Sequence, residues 1–374
     1  LGWTYKPTPV KRVEIPKPEG KGVRLLGIPI IKDRVLHMAI KMALEPILDP
    51  EFSKSSYGFR PRKNQQQAVE AAREYVRTGK EFVVDIDLSK FFDRINHDRL
   101  IQRLSLKIED KRVLRLIGMI LRSGIMTDGS VIILHEGSVQ GSPLSPLLSN
   151  LVLDELDKEL EGRSLEFCRY ADDCNIFVKT EKAAVRVMDS IKKFIETKLK
   201  LKVNEEKSKV AKADQVKFLG MTIVNGLISI SKKALNKAMD TVKTLIPRGS
   251  HQPIEKAIEQ INVWYTGWAS YFKMTQYPAQ LAGIEAHIRR RLRARFVNQQ
   301  KRRRNLYHKL IKQGVGKKMA AKTVYTNKGT WNLSHTRAVE KAFSNEWFVK
   351  AGLKIISNLG LDHWMPINMW VKLV

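Results

Sequence analysis

Hydrophobic positions along this chain change period several times, and each change marks an expected element. Lys11-Arg12-Val13-Glu14-Ile15 alternates like a strand, Pro16-Lys17-Pro18-Glu19-Gly20 reads as a turn, and 23–31 as a second strand. From 31 to 48 apolar residues recur at helical spacing through Val35, Met38, Ala39, Met42, Ala43 and Ile47. A second helix is expected over 66–75. Phe82-Val83-Val84 and Ile86 read as a short buried strand. A helix is expected to begin near Asn96-His97-Asp98, with Asp98 as its N-cap, and another to cover 110–122. Pro143 and Pro146 interrupt the chain before a helix over 147–160. Two apolar runs then flank Tyr170-Ala171-Asp172-Asp173, followed by a helix over 181–199 and strands near 201–210 and 215–230. Strands and helices in this order predict an α+β arrangement, an antiparallel sheet backed by helices.

Past residue 231 the pattern turns helical. Ser231 reads as the cap of a helix over 232–246, and Pro247-Arg248-Gly249-Ser250 as a linker turn. Two more helices are expected over 253–271 and 279–299. Trp264, Trp268, Tyr271 and Phe272 form a stripe at helical spacing, suited to core packing, with base stacking as the competing role. The segment 301–374 is basic and holds Trp331, Trp347 and Trp364.

A chain of 374 residues, 43% hydrophobic, is long and apolar enough for two or three globular domains. Its formal net charge of +29 calls for a polyanionic partner, which indicates nucleic acid without indicating catalysis. No apolar run reaches the length of a membrane span, and no signal peptide is visible, so no membrane partner is expected. Cys168 and Cys174 flank the acidic turn. They suit two reduced thiols better than a disulfide, and neither has the neighbours of a zinc site. From Ala286 to Val339 there is no Asp or Glu, while Arg289, Arg290, Arg291, Arg293, Arg295, Lys301, Arg302, Arg303, Arg304, Lys309 and Lys312 fall in the same stretch. A solvated helix face normally mixes signs, so this run is expected to contact phosphates.

Two segments carry candidate chemistry. Asp172 and Asp173 are adjacent carboxylates at a strand-turn-strand tip, where like charges repel and a bound cation would relieve them. An ordinary Asp-rich hairpin turn is the alternative. In Phe82-Val83-Val84-Asp85-Ile86-Asp87 the two acids share one face of a strand, an expensive placement unless they are paired or bind metal. Mg²⁺ prefers such oxygen ligands, and Asp87 with Asp172 and Asp173 would furnish the protein part of a two-metal phosphoryl-transfer site.

Six motifs stand in order: Arg24-Leu25-Leu26-Gly27-Ile28-Pro29, Ser56-Tyr57-Gly58-Phe59-Arg60-Pro61, Asp87-Leu88-Ser89-Lys90-Phe91-Phe92, Gln140-Gly141-Ser142-Pro143-Leu144-Ser145-Pro146-Leu147-Leu148, Tyr170-Ala171-Asp172-Asp173 and Phe218-Leu219-Gly220. In these the chain resembles a group II intron-encoded reverse transcriptase, or maturase, of the endonuclease-lacking type. The resemblance covers nearly the whole chain. It starts partway into the family's pattern, on Leu1, so an N-terminal extension is expected to precede it. It implies a right-hand polymerase: fingers over 1–80, palm over 81–230, a three-helix thumb (maturase domain X) over 231–300 and a small basic DNA-binding-like domain over 301–374.

The resemblance also assigns roles. It implies an RNA-dependent DNA polymerase in which Asp87, Asp172 and Asp173 are catalytic and hold two Mg²⁺ ions, with Mn²⁺ as a substitute. The family's aromatic gate follows its first catalytic acid by five residues. That selects Asp87, whose gate would be Phe92, over Asp85, whose fifth residue is Lys90. Phe92 is then expected to exclude ribonucleotides. Lys11, Lys17 and Arg24 match basic positions that hold the triphosphate. Gln140 is expected to contact the incoming nucleotide or template, and Lys207 matches the lysine proposed to protonate pyrophosphate. In the Gln140 loop this chain has Gly-Ser where many relatives have Gly-Gly. Arg60 is a further basic candidate or a turn residue, and His97 a structural one. Arg289, Arg290, Arg291, Arg293, Arg302, Arg303 and Arg304 are the expected nucleic-acid contacts. The implied partners are template RNA, group II intron RNA, a DNA primer or target, and dNTPs. The implied compartment is the bacterial cytoplasm, or an organelle if the host is eukaryotic. A splicing cofactor with a dead polymerase and a domesticated reverse transcriptase in antiphage defence or repair are the competing readings.

Overall fold

A computed structural model describes residues 5–16, 23–127, 130–132, 136–138 and 141–357. Lys17, Gln140 and Trp364 lie outside the described residues, as does the side chain of Arg24. The chain divides into two compact units, Leu1–Leu219 and Gly220–Val374.

The first unit runs β1 (Val10–Pro16), β2 (Val23–Ile28), α1 (Ile31–Leu48), α2 (Gln65–Arg77), β3 (Phe82–Ile86), α3 (His97–Ser105), α4 (Lys111–Leu121), β4 (Ile125–Thr127), β5 (Ser130–Ile132), α5 (Ser145–Gly162), β6 (Glu166–Tyr170), β7 (Asp173–Val178), α6 (Glu181–Phe194) and β8 (Lys209–Lys212). Two four-stranded sheets result. One has the order β2-β1-β4-β5, with β1 parallel to β4 and the other pairs antiparallel. The other has the order β6-β7-β3-β8 and is antiparallel throughout. One face of the second sheet and α3 to α6 share a core built on Val84, Ile86, Ile117, Leu153, Leu160 and Ile176.

Local chemistry explains the helix starts. Asn64 and Gln67 form a reciprocal capping box on α2. Asn96, not Asp98, caps α3: its Oδ1 accepts from Arg99 N at 2.9 Å, while Asp98 ion-pairs with Arg122. Asp110 caps α4. The helix expected over 181–199 is α-helical only to Phe194, and its last turn widens to π geometry over Ile195–Leu199.

α1 has the expected limits but buries another face. Asp33, His37, Ile40, Leu44 and Leu48 point inward, whereas Val35, Met38, Met42 and Ile47 are exposed. The buried stripe contains two polar residues, Asp33 and His37, that are bonded by partners distant in sequence. Asp33 accepts from Tyr5 Oη at 2.7 Å and Thr8 N at 3.0 Å. Apolar spacing alone therefore points to the wrong side.

The second unit opens with a hairpin, β9 (Met221–Val224) and β10 (Leu227–Ile230), which the palm boundary at 230 had grouped with the preceding strands. Its edge is bound inside this unit: Ile228 N donates to Gln276 Oε1 at 3.0 Å and Ile230 N to the buried Gln280 at 2.8 Å. The helices α7 (Lys232–Leu245), α8 (Ile254–Phe272), α9 (Pro278–Gln299), α10 (Arg303–Lys312), α11 (Lys317–Val324), α12 (Thr330–Leu333), α13 (Arg337–Ala342) and α14 (Asn345–Lys350) follow. Ser231 caps α7 as expected. A single apolar cluster runs from Ala238 to Leu353, so the core is continuous across the expected domain boundary at 300. The aromatic stripe of α8 stacks on itself, Trp268 lying 4.5 Å from Phe272 and 5.8 Å from Trp264, with both tryptophans against this core. No described helix is long and apolar enough to cross a membrane.

The face that α1 buries is directly measurable. Leu44→Ala is expected to cost about 2–5 kcal/mol in denaturant unfolding, and Met42→Gln no more than about 0.5 kcal/mol. The reverse ranking would mean that the helix is turned the other way.

Candidate active site

The site is built by strand register. β3 and β7 pair antiparallel with Ile86 opposite Cys174, and the same register carried one step on sets Asp87 opposite Asp173. β6 and β7 are joined by a two-residue turn closed by the pair Tyr170 and Asp173. That turn consists of Ala171 and Asp172, so all three expected acids meet at one end of one sheet. Cys168 and Cys174 are both buried and free. Cys168 pairs with Asn175 while Cys174 pairs with Arg169, which puts the two thiols on opposite sheet faces, out of reach of a disulfide.

The turn is held from below. Arg169 and Asp157 are both fully buried, with Arg169 Nε 2.7 Å from Asp157 Oδ1 and Nη2 2.5 Å from Oδ2. Arg169 Nη1 donates to Ala171 O and to Asn150 Oδ1, each at 3.0 Å. Asn150 Nδ2 donates in turn to Gly58 O at 2.9 Å. Gly58 has no alternative: a Cβ there would stand 2.3 Å from Ala171 N. Ala171 itself adopts φ +58°, a left-handed conformation that non-glycine residues rarely take. The bidentate pair, the amide and the close backbone approach over-determine that conformation. Burial pushes the Asp157 carboxyl up, and the guanidinium opposes this.

Electrostatics at the mouth follow from crowding. Loss of hydration, then the like charges of Asp172 and Asp87, push the Asp173 carboxyl up to about 6, although the residue keeps a solvent-facing edge. Asp85 also rises to about 6, through burial first and then Asp173. Asp87 is better supported. It accepts from Asn204 Nδ2 at 3.1 Å and Lys207 Nζ at 3.4 Å, and its backbone N–H donates to Ser208 Oγ at 3.0 Å. An all-carboxylate set under mutual repulsion is the donor chemistry of a hard divalent cation. Among the described residues, however, no three acidic, histidine or cysteine side chains close around a common point as a finished metal cage.

The remaining expected residues divide. Lys207 is brought to Asp87. Phe92 is half-buried against Phe91, ring centres 5.2 Å apart, in the short 3-10 helix Phe91–Arg94 that follows Asp87. Lys11 is exposed on β1. Gly141 adopts φ +128°, and a Cβ there would lie 2.5 Å from Gly27 O, so two of the six motifs touch through backbone. The Ser142 that departs from Gly-Gly has a partner: its Oγ lies 3.0 Å from Nδ1 of the buried His37 and accepts from Leu144 N. His97 is buried, its Nε2 2.6 Å from Gly137 O, which requires the proton on Nε2. Arg60 is committed to Asp49 and to the carbonyls of Asp49, Ser53 and Ser56.

The arginine run also divides. Arg291, Arg293 and Arg295 are buried. Arg291 donates to the carbonyls of Ile246 and Lys243, Arg293 to Phe343 O, and Arg295 to Ser250 Oγ and Gln252 O. They satisfy carbonyls at chain turns and helix ends, so those donors are withheld from phosphates. Arg303 is exposed yet bonded to Val324 O and Thr326 O. Arg302 and Arg304 are exposed, and Arg289 and Arg290 half-buried. Sequence reasoning missed Arg169, Asp157, Asn150 and His37. The available signal was position: Arg169 sits in an apolar strand run and Asp157 between Leu153, Leu156 and Leu160 on α5.

Residues 15–223 match the family Reverse transcriptase (RNA-dependent DNA polymerase), and 235–314 the Group II intron, maturase-specific domain. YkfC of Escherichia coli (strain K12) is 32% identical over 263 residues, 60% of this chain and 69% of YkfC. The Group II intron-encoded protein LtrA of Lactococcus lactis subsp. cremoris is 30% identical over 314 residues, 65% of this chain and 52% of LtrA. The chain thus spans about half of LtrA's length. A solved telomerase from Candida albicans, in complex with a fragment of telomeric RNA, aligns at 14% identity over 95% of this chain and 65% of that one, with a TM-score of 0.48.

The buried pair under the hairpin gives a stability test. Removing one partner strands a charge, so Arg169→Met is expected to cost about 3–5 kcal/mol in chemical denaturation. Arg169→Met combined with Asp157→Leu should recover most of that loss, and a double variant as unstable as the single would contradict the pairing.

Proposed function

This chain belongs to the reverse transcriptase family and carries a maturase-specific domain of group II introns, and on that premise we propose that it copies RNA into DNA and binds a group II intron RNA to assist splicing and mobility. The observation that carries the chemistry is the register setting Asp87 opposite Asp173, with Asp172 in the adjoining turn. Asp87, Asp172 and Asp173 would hold two Mg²⁺ ions, or Mn²⁺ in their place. When bound, such ions lower the pKa of a primer 3′-hydroxyl and neutralise a triphosphate.

The protein's own groups supply position and protons. Lys207, beside Asp87, is suited to give a proton to the departing pyrophosphate. Phe92 lies beneath the incoming sugar and leaves no room for a 2′-hydroxyl. Lys11, Lys17 and Arg24 attract the triphosphate of a dNTP, and Gln140 meets the nucleotide or template. Arg289, Arg290, Arg302 and Arg304 contact phosphates of RNA or of a DNA primer or target, which positions the polymer without reading its sequence. The compartment we assign is the bacterial cytoplasm, whose reducing conditions suit two buried thiols.

Primer extension on an RNA template tests this reading. Asp173→Asn should lower Mg²⁺-dependent extension by at least roughly 10³-fold, about 4 kcal/mol in the barrier, with RNA retention on filters unchanged. Extension near the wild-type rate would refute the assignment. Phe92→Val should admit ribonucleotides, and an unchanged sugar preference would remove Phe92 from the gate.

A further inference from the structure

α9 shows one face to a cavity of about 620 Å³ within the second unit. Gly283, Ala286, His287, Arg290 and Arg293 recur at helical spacing along that face, with Arg289 beside them. The opposite wall comes from His335, Glu340 and the start of α14.

Positive charge predominates in this cavity. Each arginine is anchored on one side: Arg289 by Glu285 at 3.8 Å, Arg290 over the Trp331 ring at 4.2 Å, and Arg293 by Phe343 O at 2.8 Å. A guanidinium has five N–H donors, so anchoring fixes its direction and leaves donors over. Glu340 contacts His335 at 2.7 Å and also acts on Arg293, so it offsets part of the positive charge. Arg290 Nε and His287 Nε2 are buried behind this face without a hydrogen-bond partner, which is costly. Burial, then the positive charge of Arg291, Lys243 and Arg290, holds His287 below its ordinary pKa.

Size narrows the ligand. The volume far exceeds a phosphate group and suits a ligand of nucleotide size. Gly283 is consistent with this. It stands inside a 22-residue helix, where glycine is unfavourable, yet a Cβ there would meet nothing within 4 Å. Its lack of a side chain serves no contact in the protein and keeps the cavity clear.

We propose that this cavity seats a single nucleotide extruded from an RNA helix, with the phosphate held by Arg289 and Arg290 and the base inside the pocket. Proteins read RNA largely through such unstacked nucleotides, because the A-form major groove admits no side chain. The inference rests on the RNA-binding half of the proposed function and gives that binding a preference for shape.

The full chain is titrated with a fluorescent RNA hairpin bearing a one-nucleotide bulge and with the same hairpin fully paired. The wild type should bind the bulged hairpin at least roughly tenfold tighter, about 1.4 kcal/mol. Gly283→Trp, which fills the pocket, and Arg290→Gln, which keeps a polar side chain without its charge, should each erase that difference. Thermal unfolding confirms that the variants are folded. Equal affinity for both hairpins in the wild type, or a preference that survives Gly283→Trp, would overturn the proposal. Primer extension by the same wild-type preparation separates the two readings: its failure sinks the polymerase and leaves the hairpin comparison intact.

Discussion

The bidentate contact between Arg169 and Asp157 is the constraint on which the candidate active site depends. Two charges with no exposure to water are costly, and such a pair is weak evidence for stability. Here its value is geometric. One guanidinium edge is fixed by the carboxylate on α5, and the remaining donors reach Asn150 and the carbonyl of Ala171. The turn next to Asp172 and Asp173 is thereby tied to a helix that lies in the core. Tyr57, Gly58 and Ser55 close on the same strand and its turn through backbone, so a second motif of the sequence acts as a brace for the acidic one.

A fixed turn allows the acids to be crowded. The charges of Asp172 and Asp87 add to burial in raising the proton affinity of Asp173, Lys207 works against that rise, and Asn204 and Lys207 both hydrogen-bond Asp87. The protein thus maintains a negative focus amid a strong excess of positive charge. Such a focus attracts divalent cations, while the surrounding lysines and arginines attract the phosphates that those cations must meet. Polymerase chemistry needs both kinds of charge side by side, and a rigid sheet end is where they are kept distinct.

Much of this was legible in the sequence because it rests on local periodicity. A period of two in 82–87 puts Asp85 and Asp87 on one face, and paired apolar runs around 170–173 announce a hairpin. The helix cap at Ser231 is equally local. What stayed hidden depends on partners remote in the chain. α1 is apolar on more than one side, and only the bonds from Tyr5 and Thr8 to Asp33 show which side is inside. The arginine run reads as uniform surface charge. Yet the carbonyls of Ile246 and Phe343, some fifty residues away on each side, draw Arg291 and Arg293 inward. The serine at 142 looks like a flaw in its motif until His37 is seen beside it. Buried polar residues were the common difficulty, since spacing predicts burial for apolar side chains only.

The central claim is that three acids at one end of one sheet form one cation-binding centre. Anomalous diffraction from Mn²⁺ in crystals of the chain with RNA template, DNA primer and a non-hydrolysable dNTP tests it most directly. The account predicts anomalous peaks within coordination distance, roughly 2.0–2.3 Å, of carboxylate oxygens of Asp87 and of the Asp172-Asp173 turn. Peaks bound elsewhere, with the three carboxylates uncoordinated beside a correctly seated primer end, would contradict it.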